Sequence, residues 1–103
     1  MYMPSDITKR PLIDAAVKEI INGSSAHVIN IEYDFAKDWS GDWAIFFHVL
    51  LSDQASKGVM LGRVTTEVRK RLAEMLRGLN IRLFGYSDFR SESEVAELQK
   101  GMR

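Results

Sequence analysis

The spacing of apolar residues predicts a two-layer α+β domain: a small three-stranded sheet with helices packed on one face, in the order α-β-β-α-β-α. Three observations carry this expectation. Apolar residues recur every three or four positions in segments 9–21 and 59–79, the signature of a one-sided helix. They alternate with polar residues from His27 to Phe35, as on a strand with one buried face. Two further short runs, Trp43 to Leu51 and Ile81 to Phe89, are rich in β-branched and aromatic residues and lie between turn-forming residues.

In the first helix, Ile13, Ala16, Val17, Ile20 and Ile21 form the stripe. Pro11 fits its first turn, where an N–H has no partner to lose, and Asn22-Gly23 offers a left-handed closing residue. Strand one places Ile29, Ile31, Tyr33 and Phe35 on one face, opposite Asn30, Glu32 and Asp34. Residues 36–42 are turn chemistry, and Trp43 to Leu51 pairs back as an antiparallel hairpin. The second helix carries Leu61, Val64, Val68, Leu72, Met75, Leu76 and Leu79 inward. Its outer face carries Arg63, Glu67, Lys70, Glu74 and Arg77, and Gly78 and Asn80 mark its end. The third strand lies either parallel to the second or antiparallel beside the first. Ser91 and Glu94 then form a capping box for a short last helix. The inward phase of each period gives a core of Ile13, Val17, Ile20, Ile31, Tyr33, Ile45, Phe47, Val49, Val68, Leu72 and Leu76.

Length and composition bound the rest. The 103 residues make one domain, 1–103, and a chain 46% hydrophobic and 27% charged can bury a core. Zero cysteines remove disulfides and cysteine-ligated zinc and fit a cytoplasmic location. The N-terminal stretch has no apolar h-region, so no secretory signal is expected, and no run is long enough for a membrane span. Fourteen basic residues balance fourteen acidic ones, which lacks the excess positive charge that nucleic-acid binding draws on.

Catalysis needs a nucleophile or base with partners. The two histidines, His27 and His48, have no H-x-H or H-x-x-x-H companion. His48 reads as a strand residue pointing with Ala44, Phe46 and Leu50, and His27 as a turn residue at the surface. Glu32, Asp34, Asp38, Asp42 and Asp53 can gather at one end of the sheet. Within that group Asp34, Asp38 and Asp42 are the candidate ligands of a hard metal ion, although the loop lacks the D-x-D-x-D-G pattern of a calcium site. Neither phosphate-cradling glycine motif occurs, so no cofactor is expected.

Three features read as binding surface. Trp39 and Trp43 flank the hairpin loop, and tryptophan is a frequent interface anchor. If helices cover one face only, the other has Phe46, Leu50 and Phe84 or Tyr86 to hide, which favours dimerisation or a partner. Arg63, Arg69, Arg82 and Arg90 offer a mildly basic strip. The candidate partner-binding residues are therefore Trp39, Trp43, Phe46, Tyr86 and Arg90.

The run from Asp38 through Phe47, the helix Thr66 to Leu72 and the stretch Ile81 to Glu94 resemble a family of small uncharacterised bacterial α+β proteins. The resemblance spans residues 28–97. That family's D-G-D-x-A turn corresponds to Ser40-Gly41-Asp42-Trp43-Ala44, and its Y-x-x-F-R-S-x-S-E close to Tyr86-Ser-Asp-Phe-Arg-Ser-Glu-Ser-Glu94. Its genes are associated with HEPN-domain proteins, helical and often RNase toxins. The resemblance implies a HEPN-domain protein as partner and an antitoxin-like or accessory role in a toxin–antitoxin or similar two-gene system. It brings no catalytic residues.

The expected function is thus a non-enzymatic protein-binding module, with a homodimer as one form of association. The alternatives are a KH-like RNA-binding module stacking bases on Phe84, Tyr86 or Trp43 beside Arg82 and Arg90, and an enzyme with a carboxylate-held metal. The KH reading lacks its G-x-x-G loop.

Overall fold

The computed structural model describes residues 8–24 and 27–101. Most of the stretch that bears on a secretory signal, residues 1–7, lies outside them. The elements are α1 (Arg10–Gly23), β1 (Val28–Lys37), β2 (Trp43–Leu51), α2 (Gly58–Gly78), β3 (Phe84–Ser91) and α3 (Glu92–Gly101), the expected order. The sheet runs β1-β2-β3, with β2 central. β1 pairs antiparallel to β2 through the hairpin. β3 pairs parallel to β2, the choice the sequence leaves open, and α2 is the crossover that parallel neighbours require. Among the described residues no helix is long and apolar enough to cross a membrane.

Alternation along β2 divides the sheet into two faces. Ile45, Phe47, Val49 and Leu51 are each at most 2% exposed and meet Ile13, Val17 and Ile20 of α1 and Val64, Val68, Leu72 and Leu76 of α2. Of the expected core only Tyr33 is half-buried. Its hydroxyl reaches the rim and donates to Asp14 Oδ1 at 2.5 Å, tying β1 to α1. Burial, then the Asp14 hydrogen bond and charge, push this phenol up to about 12. Lys9 Nζ donates to the Leu79 and Asn80 carbonyls at 3.0 and 3.1 Å, fastening the start of α1 to the end of α2.

Several local expectations are corrected. Gly23 is not left-handed, since the positive-φ residues among those described are Gly41, Gly58 and Asn80. At Gly23 a Cβ would lie 3.2 Å from Arg71 Nη1, so the position serves a close approach instead. A register shift between Val28 and Asn30 takes Ile29 out of the alternation and leaves it 41% exposed. The hairpin connection shortens to residues 38–42, closed by Asp38 N–H donating to the Asp42 carbonyl at 2.8 Å.

The third strand starts at Phe84 rather than Ile81 because Ile81 is used to end α2. Asn80, at φ 57°, sits in the left-handed conformation, and Asn80 and Ile81 N–H donate to the carbonyls of Arg77 and Leu76 at 3.0 and 2.8 Å. This is the two-bond closure of a Schellman motif, with Ile81 and Leu76 both buried in the core. The capping box forms as expected: Glu94 N–H donates to Ser91 Oγ at 3.1 Å, and Ser91 N–H to Glu94 Oε1 at 3.2 Å. Asp53 adds a second clamp on α3, accepting from Ser93 N–H and Oγ at 3.0 and 2.8 Å. These bonds, Ser93 Oγ first, hold the Asp53 carboxyl below its ordinary range.

Candidate functional site on the open sheet face

The residues of β2 that alternate with the core point to the face opposite α1 and α2. Strand registers set them in four cross-strand rows: Ala36, Ala44 and Phe84; Asp34, Phe46 and Tyr86; Glu32, His48 and Asp88; and Asn30, Leu50 and Arg90. The first two rows are aromatic and the last two are polar.

Tyr86 is the centre of the aromatic half. Its ring stacks on Phe46 at 5.2 Å between centroids and on Phe84 at 6.0 Å, and Trp39 leans against it at 5.3 Å. The Tyr86 hydroxyl donates to Asp38 Oδ2 at 2.9 Å, pinning the hairpin loop over the strand. Desolvation and the Asp38 carboxylate push this phenol up. The loop is ordered from within, since Asp38 Oδ1 accepts from Ser40 N–H, Ser40 Oγ and Asp42 N–H at 3.0, 2.6 and 3.2 Å. Ser40 Oγ is the main influence holding the Asp38 carboxyl below its ordinary range; desolvation opposes it, and Tyr86 assists. Despite this rigid setting, Trp39 is 85% and Phe84 72% exposed.

His48 centres the polar half. Nδ1 meets Asp88 Oδ2 at 2.9 Å and Nε2 meets Asp34 Oδ2 at 3.1 Å, so a bridge spans all three strands. Burial, the largest single influence, pulls the imidazole pKa down. The hydrogen bonds and charges of Asp88 and Asp34 together outweigh it, and the net shift is upward. With a carboxylate on each ring nitrogen, His48 holds the sheet face together and neither nitrogen is turned toward a hydroxyl.

Of the candidate partner-binding residues, Trp39 and Phe46 each contact the Tyr86 ring, and Arg90 lies exposed on the same face. Trp43 is not with them. It shares the helix-side face with Ile45 and Phe47, half-buried, with Lys37 Nζ 5.7 Å from its ring centre. The candidate metal ligands do not converge, because Asp34 is turned to His48 while Asp38 and Asp42 serve the loop. Asp53 is bonded to α3, away from the loop group. Among the described residues no group of three His, Cys, Asp or Glu is placed to hold a metal ion.

The arginines of the expected basic strip are likewise dispersed. Arg69 lies on the helix side, 5.1 Å from the Phe89 ring centre, opposite the face of Arg90. His27 is half-buried rather than at the surface, and its Nδ1 is buried with no hydrogen-bond partner among the described residues. The residues that sequence reasoning missed are Asp88 and the bridging role of His48. Their signal was the shared polar phase with Asp34, which becomes visible only once β3 is placed beside β2.

No family model, curated protein or solved structure matches this chain.

Proposed function

We propose that the protein is a non-enzymatic binding module that docks a partner protein on the sheet face opposite α1 and α2. One observation carries this reading: Trp39, Phe46, Phe84 and Tyr86 form a contiguous aromatic patch whose outer rings, Trp39 and Phe84, face solvent. Aromatic side chains held rigidly by their neighbours lose little conformational freedom on binding and are frequent interface anchors. Around the patch, Glu32, Asp34, Asp38 and Asp88 outnumber Arg90 and His48. The complementary partner therefore brings apolar side chains rimmed by lysine or arginine. In the setting the sequence resemblance implies, that partner is a HEPN-domain protein in the bacterial cytoplasm and this chain is its antitoxin-like or accessory component.

The stacked rings of Phe46, Tyr86 and Phe84 favour one second reading, a base-stacking platform for single-stranded RNA. The same carboxylates oppose it, because phosphates approaching the patch meet like charge.

The test replaces Phe84 with a photo-crosslinking aromatic and, as control, puts the same group at Lys70 on the exposed side of α2. A discrete protein adduct from position 84 and none from position 70 supports the reading. An adduct with RNA moves the function to the second reading. Equal adducts from both positions, or none from position 84, overturn both.

A further inference from the structure

The two edges of the sheet are protected unequally. β1 carries a bulge at Val28–Asn30 and the charged residues Glu32, Asp34 and Lys37, all devices that discourage another strand from pairing. The first half of β3, Phe84-Gly-Tyr-Ser87, has no charge, proline or bulge, and its outer side has no strand neighbour among the described residues. Alternate backbone N–H and C=O groups there point away from β2.

Beside this edge, on the helix side, runs a groove of about 570 Å³ between α2 and β3. Leu72, Leu76, Ile81 and Leu83 give it an apolar floor, and Ala73, exposed on α2, keeps the helix wall low. Arg69 and Arg77 stand on the α2 side, and among the described residues no carboxylate lines the groove. Gly85 sets the depth of the groove: a Cβ there would come within 2.8 Å of Leu76 Cδ1, so the bare backbone lets helix and strand approach closely. The charge is opposite in sign to that of the open face.

We infer that β3 and α2 form a second binding site, which takes an extended acidic peptide segment of a partner protein as a fourth strand along β3. Main-chain hydrogen bonds to the edge of β3 supply register, and every second side chain of the segment turns to the helix side, where apolar ones enter the groove and a carboxylate at its rim meets Arg77. The groove shares Phe84 and Tyr86 with the open-face patch, but Ala73 and Arg77 belong to the groove alone, so variants there separate the two sites. Either can fail without the other.

The test selects displayed random peptides on the immobilised protein, then titrates the most enriched one into isotope-labelled protein followed by NMR. The expected peptides carry apolar residues and an Asp or Glu two positions apart, on one face of the strand, and they shift the amides of Leu83 to Ser87 and slow their hydrogen exchange. Arg77→Glu should weaken binding by about tenfold or more, the effect of losing a charged contact. Ala73→Trp, which fills the groove from an exposed helix position, should abolish binding while thermal unfolding stays unchanged. The proposal is overturned by a lysine- or arginine-rich consensus, by the absence of any enriched peptide, or by shifts confined to β1 or the open face. It is equally overturned by binding indifferent to both variants, or by a dimer that forms through β3 and excludes the peptide.

Discussion

Alternate residues of the same strands build two surfaces that differ in almost every respect. On β2, Ile45, Phe47, Val49 and Leu51 lie under two helices, whereas Phe46, His48 and Leu50 between them face the other way, with α3 reaching only the polar end of that face at Val95. The helix-covered face is held by close packing, which is insensitive to the identity of distant polar groups. The open face is ordered by specific pairings instead: a ring stack centred on Tyr86, a hydroxyl bonded to Asp38, and an imidazole between two carboxylates. A surface ordered this way can keep large rings exposed without losing its shape. The difference separates what stabilises the fold from what is offered to a partner.

The comparison makes its largest claim about Phe47 and Phe46, adjacent in sequence and on opposite faces. Phe47→Ala should cost about 3–5 kcal/mol of stability, because the ring is enclosed and its cavity can collapse only in part. Phe46→Ala should cost clearly less, and similar losses in denaturant unfolding would erase the distinction between the faces. Trp43→Ala should cost about 1–3 kcal/mol and leave open-face association intact, since this ring is half-buried on the helix side. Weakened association at unchanged stability would instead return Trp43 to the binding surface. Ser91→Ala, which removes one half of the α3 capping box, should cost about 1 kcal/mol in the same assay.

The smallest effect is the pH dependence of the His48 bridge. Its pKa is raised on folding above the ordinary 6.5, so the folded state holds the proton more tightly than the unfolded chain. The resulting stabilisation is fully present below about pH 6.5 and is lost as pH rises through the raised value. The stability difference between the protein and His48→Gln should therefore shrink with rising pH across that window. It should also shrink with added salt, because His48, Asp34 and Asp88 are all substantially solvent-exposed. A difference that grows with pH would contradict the assigned bridge.

The helix-covered face was legible in the sequence because burial follows periodicity. The stripes on α1 and α2 and the phase of β2 emerge from residue spacing alone, and the Ser91–Glu94 box from a local pattern. The open face was legible only in its members. Phe46, Tyr86 and Trp39 could be named as candidates, but their stacking depends on β3 lying parallel beside β2, and two arrangements satisfied the same apolar pattern. The partners of His48 lie 14 and 40 positions away, beyond the reach of any local motif. Trp43 was grouped with Trp39 because both flank one loop. The closure of that loop, with Trp43 already in the strand register opposite Lys37, sends the rings to different faces. Ile81 reads as strand in the sequence because its apolar character suits both a strand and the hydrophobic contact that closes α2.

The most direct test of the open face as the docking surface is to measure association and folding together for Phe84→Ala, using the partner captured at position 84. Phe84 is 72% exposed, so its loss should leave the unfolding midpoint nearly unchanged. It is a solvent-facing ring of the patch, available to anchor a partner, so its loss should weaken association by about tenfold or more. Unchanged affinity at full stability would place the binding surface elsewhere on the molecule. A large loss of stability would mean that Phe84 belongs to the fold rather than to the partner.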